Sequence, residues 1–185
     1  PFADGLKLWD ALAELGVTPV GIETYANSRR LEKSLRLQNA DLETDYNLYE
    51  AGLARPKVKA ADFHGKEAYV AQRELSEQVA YLCTFVLEDT TDNEGVVRYP
   101  VGQWPLLDKE TKEVIVDSHG RRSYTTSVAY GPSLGQNIAM GYLPADRAKE
   151  GDTVYMEYFG NFFSAKVTAV GYRAMLDPEN IRVKT

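Results

Sequence analysis

The chain has 185 residues, of which 44% are hydrophobic and 26% charged, and its net charge is −6 at pH 7. This length allows one large domain or two small ones with a buried core, and the acidic balance argues against nucleic acid or an acidic membrane surface as a partner. No apolar run approaches the roughly 20 residues that span a bilayer. The single cysteine, Cys83, excludes an internal disulfide and a cysteine-based zinc site, and it suits a reducing compartment.

The first part of the chain is predicted to be rich in helix. Leu6, Trp9 and Leu12 recur at helical spacing, and Gly16 can end the helix that they form. The polar stretch NADLETDYNLYEAGL is predicted to be a structured loop. Three helices are expected, in residues 6–15, 27–38 and 64–78.

After residue 78 the pattern changes to short segments rich in β-branched and aromatic residues, separated by Gly, Pro, Asn or Asp. The segments are VAYLCTFVLED, VVRYPVGQWPLL, EVIVDS, YTTSVAY, NIAMGYL, TVYMEYF and FFSAKVTAVGY. Their spacing predicts a small antiparallel barrel or sandwich. We therefore expect an α+β chain, with a helical part over residues 1–78 and an antiparallel β-barrel over 79–185.

Most residues that could carry chemistry have a structural explanation. His64 and His119 each precede a glycine, which is typical of turns, so no metal site is predicted. Cys83 lies within a predicted strand and is expected to be a buried structural thiol. The stretch GPSLGQN lacks the lysine of a phosphate-binding loop and precedes a strand, so it is predicted to be a hairpin loop.

Two charged residues have competing interpretations. Glu32, in SRRLEKSLR, is either an acid favoured by the helix dipole or a carboxylate whose two oxygens accept the adjacent N–H donors of a planar heterocycle. Arg98, in VVRY, is either an outward-facing strand residue or an anion site for a carboxylate tail.

Long stretches of the chain resemble one family. LWDALAELGVTPVGIETYANSRRLEKSLRLQNADLETDYNLYEAGL, KAADFHGKEAYVAQ, TTSVAYGPSLGQNIAMGYLPADRAKEGDTVYMEY and MLDPENIRVK are similar, in order, to the folate-binding aminomethyltransferase family. That family includes the glycine-cleavage T-protein, the C-terminal part of dimethylglycine and sarcosine dehydrogenases, and tetrahydrofolate-dependent demethylases. The segments RLEKS and DYNLYEAGL resemble the dehydrogenase and demethylase branches more than the T-protein branch.

The resemblance implies roles for four residues. Glu32 matches the glutamate that hydrogen-bonds the pterin ring of folate, and we expect it to face the junction between the helical part and the barrel. Arg98 matches an arginine near the folate, Lys59 lies where the family places a basic residue near the glutamate tail, and Tyr25 is expected to line the pocket. The family's catalytic aspartate belongs to an earlier segment that this chain does not contain.

Departures from the family pattern concern the substrate side of the site. Val128 stands where the barrel motif usually has glycine. The segment RLQNADL replaces a family motif that usually contains aromatic residues.

The resemblance implies transfer of a methyl or methylene group from an N-, O- or S-methyl donor to tetrahydrofolate, by the C-terminal portion of a larger enzyme. The partners would be tetrahydrofolate, a small methyl donor and the rest of the polypeptide or a partner subunit, with FAD in an upstream domain of the dehydrogenase branch. A cytoplasmic location is expected, or the mitochondrial matrix in a eukaryote. The alternative is a non-catalytic folate-binding, regulatory or interface module of the same family.

Overall fold

The computed structural model describes residues 1–181. Within these residues, five helical elements precede the sheet. They are a 3-10 turn at Phe2–Asp4, helix α1 at Gly5–Glu14, a π-helical turn at Thr24–Arg29, helix α2 at Arg30–Glu32 and helix α3 at Lys66–Arg73.

The first predicted helix is confirmed, and the other two are shorter than predicted. Helix α1 is followed by Gly16 in the left-handed region at φ +76°. Helix α2 stops at Glu32 because Ser34 adopts φ +56°, and the Arg36 side chain then turns to the carbonyl of Ala51 at 3.0 Å. The prediction of helix to residue 38 is therefore wrong. Helix α3 ends at Arg73, five residues before its predicted end.

The second part of the chain forms one six-stranded antiparallel sheet. Its strand order is β2-β5-β6-β1-β4-β3. The strands are β1 at Ala80–Leu87, β2 at Leu106–Leu107, β3 at Thr125–Gly131, β4 at Gln136–Pro144, β5 at Thr153–Tyr158 and β6 at Asn161–Val170.

The two ends of this strand order approach each other, which gives the sheet its barrel-like form. The N–H of Leu106 in β2 donates to the carbonyl of Ser123 at 3.0 Å, just before β3. The N–H of Thr125 in β3 donates to the carbonyl of Trp104 at 2.8 Å. The predicted antiparallel β architecture is thus confirmed.

Two predicted strands are largely replaced by irregular structure. Only Leu106–Leu107 of VVRYPVGQWPLL is a strand, and EVIVDS contributes isolated bridges at Val114 and Val116. The carboxylate of Asp92 accepts the N–H groups of Glu94 and Val96, each at 2.9 Å, and so forms a turn where extended chain was expected.

Strands β1 and β4 are buried on both faces, because each contributes side chains to two apolar clusters, one on either face of the sheet. One face lines the barrel interior, with Phe85 and Leu143 in the same cluster as Met156. The opposite face packs against the helical part, where Leu82 and Ile138 meet Leu31 and other residues. The helical part is therefore packed onto the outside of the barrel around β1 and β4, and this seam contains Glu32.

Helix α1 lies apart from both clusters. None of its residues is buried, and its apolar side chains Leu6, Trp9 and Leu12 are exposed. None of the helices that the structure describes has the length and apolarity needed to cross a bilayer.

Candidate functional site

Glu32 is the last residue of α2, and its side chain is completely buried, with 0% of its surface exposed. One carboxylate oxygen, Oε1, accepts the backbone N–H of Ser133 at 2.7 Å. The other, Oε2, accepts a guanidinium N–H of Arg29 at 3.0 Å. Glu32 therefore faces the junction of the helical part and the barrel, where it was expected.

The barrel side of this site is the hairpin between β3 and β4, within the stretch GPSLGQN. Its turn is closed by bonds from the N–H groups of Leu134 and Gly135 to the carbonyl of Gly131, at 3.0 and 2.8 Å. A side chain at Gly131 would place its Cβ 2.6 Å from Ile138 Cδ1 and 3.2 Å from Glu32 Cγ. Glycine at this position thus makes room for Glu32, and the hairpin prediction is confirmed.

The backbone of Glu32 is held by the segment 171–181, here called the C-terminal strap. The carbonyl of Glu32 accepts the N–H groups of Met175 and Leu176 at 3.0 and 2.8 Å. The ammonium of the next residue, Lys33, donates to the strap at the carbonyls of Leu176 and Asp177 and the side chain of Asn180. The family-like ending MLDPENIRVK includes this strap, although its residues 182–184 lie outside the described part of the chain.

Arg30, the first residue of α2, carries a buried network on the other side of the helix. Its guanidinium donates to Asp41 Oδ2 at 2.7 Å and to the hydroxyl of Ser127 at 2.6 Å. The second oxygen of Asp41 accepts the hydroxyl of Thr126 at 2.5 Å. These bonds join α2 to β3 and thereby fix the position of Glu32 relative to the hairpin.

The other predicted site residues do not contact Glu32. Tyr25 is exposed on the π-helical turn that precedes α2. Lys59 lies over the ring of Phe63, 5.0 Å from its centre.

Arg98 is not in a strand, contrary to the prediction. Its guanidinium pairs with Asp92 at 2.5 Å and more distantly with Glu94 at 3.9 Å, so much of its charge is already balanced within the loop. The next residue, Tyr99, accepts the N–H of Tyr130 at 3.3 Å. The Arg98 loop therefore runs close to the hairpin that covers Glu32.

The acceptor chemistry of Glu32 fits the 2-amino-4-oxo edge of a pterin. A carboxylate offers about four acceptor sites, and here the two oxygens use one site each on Ser133 and Arg29. The remaining acceptor capacity suits a group with two adjacent N–H donors. Access is closed in this conformation because the carboxylate has no exposed surface, whereas the Arg29 side chain is 50% exposed.

Sequence reasoning missed Ser133, Met175 and Leu176 as partners of Glu32. Their contributions to Glu32 come from backbone groups, which any residue type supplies, so residue identity carries no signal for them. The stretch GPSLGQN, which begins at Gly131, predicted a hairpin but not its contact with Glu32.

A concave region separate from the Glu32 site lies between the helical part and the loop after β2. It is an open cleft of about 580 Å³, lined by residues that include Tyr46, Asn47, Tyr69, Gln72 and Arg121. The guanidinium of Arg121 is paired with Glu50 and Asp117, each at 2.6 Å. Burial works against this charge, yet the two carboxylates raise the pKa of Arg121. The cleft therefore has no free cation at Arg121 for an anionic ligand.

The remaining candidates are structural. Cys83 is fully buried within β1, and burial raises the pKa of its thiol to about 12, which opposes formation of the nucleophilic thiolate. Within residues 1–181, no group of three or more His, Cys, Asp or Glu side chains could hold a metal ion.

Comparison with known proteins agrees with this architecture. Residues 102–170 match the glycine cleavage T-protein C-terminal barrel domain. The chain is 31% identical to an aminomethyltransferase of Picosynechococcus sp. over 166 residues, covering 88% of this chain and 40% of that protein. It is 28% identical to an aminomethyltransferase of Koribacter versatilis over 166 residues, covering 87% of this chain and 39% of that protein.

A solved structure shares the fold. Glycine cleavage system aminomethyltransferase T from Bartonella henselae superposes with a TM-score of 0.70 at 23% identity, covering 95% of this chain and 45% of that one. The chain thus spans about two fifths of the length of the curated relatives it matches. The matched barrel, the related sequences and the shared fold together support a folate-binding aminomethyltransferase-like family for this chain.

Proposed function

We propose that this chain is the C-terminal portion of a larger enzyme that transfers a one-carbon unit to tetrahydrofolate from an N-, O- or S-methyl substrate. The observation that carries the proposal is the buried carboxylate of Glu32 at the seam between the helical part and the barrel. The related proteins named as aminomethyltransferases support it. In this proposal, residues 1–78 are the C-terminal part of the folate-binding domain.

The role of Glu32 would be to read and orient the pterin. Burying a carboxylate costs several kcal/mol of desolvation free energy. Hydrogen-bond donors around the carboxylate must compensate for that cost. Ser133, the strap and the Arg30 network hold the carboxylate and its backbone in place. Such preorganisation gives a ligand with two adjacent donors a fixed partner.

The other charged residues would act on the opposite end of the ligand. Lys59 would attract the carboxylate tail by charge, and Arg98 would add the charge that its pairs with Asp92 and Glu94 leave unbalanced. Tyr25 would line the approach to the pocket. Bound tetrahydrofolate would supply the nitrogen that receives the one-carbon unit. The residues of this chain then contribute positioning, and the proton-transfer aspartate is expected on the upstream segment.

The test is the substitution Glu32→Gln, with tetrahydrofolate binding measured by calorimetry. The amide keeps the shape but replaces one acceptor oxygen by a donor, so a loss of about 1.5–3 kcal/mol is expected. The matched control is Glu113→Gln, which removes the same charge from an exposed site. The unfolding midpoint of each variant is recorded, so that a loss of structure is recognised.

Unchanged tetrahydrofolate affinity in a folded Glu32→Gln protein would overturn the pterin role. If binding depends on Glu32 but the intact polypeptide consumes no methyl donor, the chain is part of a non-catalytic folate-binding module instead.

A further inference from the structure

The contact between Arg29 and Glu32 differs in kind from the other contacts of this carboxylate. The N–H of Ser133 belongs to a closed hairpin and is fixed by its backbone. The guanidinium of Arg29 stands at the end of a long flexible side chain that is half exposed to solvent. The same nitrogen, Nη1, also donates to the hydroxyl of Ser133.

Of these contacts with the buried carboxylate, the one made by the half-exposed side chain of Arg29 is the most easily displaced. When the guanidinium of Arg29 leaves Glu32 it can be hydrated by bulk water, because the half-exposed side chain lies at the protein surface. Glu32 cannot be hydrated in this way, since its surface is fully covered. Displacement of Arg29 therefore requires that another donor take its place on Glu32.

The chemistry of that replacement is specific. A guanidinium presents N–H groups on a planar N–C–N unit, and the 2-amino-4-oxo edge of a pterin presents two N–H groups on the same kind of unit. Either group can satisfy a carboxylate through parallel hydrogen bonds. Here Arg29 makes one such bond, from Nη1 to Oε2 of Glu32, while Oε1 accepts the N–H of Ser133. Arg29 therefore resembles the proposed ligand at the one place where the ligand would bind.

We propose that Arg29 is an affinity-determining residue that occupies Glu32 as an internal substitute for the pterin edge. The ligand must expel the Arg29 guanidinium, and its apparent affinity is reduced by the fraction of molecules in which Arg29 is in place. This inference rests on the proposed pterin role of Glu32. It predicts that removing the guanidinium improves binding at the pterin end.

The test compares the full chain with Arg29→Met, which keeps a long apolar side chain and removes every donor. The probe is 6-methyltetrahydropterin, which lacks the anionic tail, so that the change of protein charge does not act on a ligand charge. Binding is measured by calorimetry in the original protein, Arg29→Met, Glu32→Gln and the double variant. Arg55→Met, at an exposed arginine, is the matched control.

We expect Arg29→Met to bind the probe about threefold or more tightly, the range set by a partly exposed ion pair. The gain should vanish in the double variant and be absent in Arg55→Met. Guanidinium ion at about 20 mM, well below denaturing concentration, should compete with the probe more strongly in Arg29→Met than in the original protein.

Equal or weaker binding of the probe by Arg29→Met would overturn the inference, while the pterin role of Glu32 would stand if Glu32→Gln still loses binding. If Glu32→Gln binds as well as the original protein, or if none of the folded variants binds the probe, the inference and the proposed function are both wrong.

Discussion

Arg30 and Asp41 form an ion pair in which both side chains are buried, with Nη1 of the arginine 2.7 Å from Oδ2 of the aspartate. Each partner also bonds to a hydroxyl of β3, Arg30 to Ser127 and Asp41 to Thr126. The pair therefore fastens the short helix α2 to the barrel, and it determines where Glu32, two residues later, can lie.

The substitution Asp41→Asn should destabilise the protein strongly. It leaves the guanidinium of Arg30 buried without its counter-charge, and removing one partner of a buried pair costs about 3–5 kcal/mol. Urea unfolding followed by circular dichroism measures the change in free energy of unfolding. The control is Glu150→Gln, which breaks the exposed Arg173–Glu150 pair and should cost less than about 1 kcal/mol. A loss below 1 kcal/mol for Asp41→Asn would show that the pair does not fasten α2.

Gly52→Ala should be far more harmful than Gly65→Ala, although both glycines have a positive φ, +68° and +81°. A Cβ at Gly52 would lie 2.7 Å from the backbone nitrogen of Tyr172 and 2.8 Å from Cα of Gly171, at the start of the strap. A Cβ at Gly65 would meet nothing within 4 Å. Gly65→Ala should therefore show only the left-handed strain of about 1–2 kcal/mol.

Thermal unfolding of the two alanine variants measures this difference, and limited proteolysis should show earlier cleavage of the strap in Gly52→Ala. Equal unfolding temperatures would mean that the helical part and the strap separate without cost.

Acid should weaken the protein partly through Asp108. The N–H groups of Thr111 and Glu110, together with the guanidinium of Arg147, hold the pKa of Asp108 well below its usual range. A depressed pKa gives stability that is complete above the unfolded-state pKa of about 3.9 and is lost as the pH falls from there toward the folded-state pKa. Asp108→Asn should be less stable at neutral pH and should lose less stability between about pH 5 and pH 2.

Unfolding temperatures across this pH range, for the original protein and Asp108→Asn, check the prediction. Asp10→Asn, on the exposed face of α1, serves as the control. An acid dependence in Asp108→Asn as steep as in the original protein would contradict the assignment.

The spacing of apolar residues along the chain correctly predicted helices and strands that are defined by neighbouring residues. The spacing of Leu6 and Trp9 indicated α1, and the apolar run around Phe85 indicated β1. The ends of elements were predicted poorly where they depend on contacts with residues distant in the sequence. The end of α2 depends on Ser34 and on the bond from Arg36 to Ala51, which no periodicity encodes.

The candidate site shows the same division. The resemblance pointed to Glu32, and the structure places its carboxylate at the seam. The closing partners come from a hairpin about a hundred residues later in the chain, since the Ser133 contact spans 101 positions. The apolar neighbours of Arg98 predict a strand, whereas the turn formed by Asp92 decides the conformation there.

The C-terminal strap has a consequence for how the chain acquires this geometry. Lys33 and Leu176, which meet beside Glu32, are separated by 143 positions. Contacts of such long separation form late, because most of the intervening chain must be ordered before they compensate for the entropy of closing the loop. During synthesis, α2 emerges long before the strap, so the carbonyl of Glu32 obtains its last partners only when nearly all of this sequence has been translated.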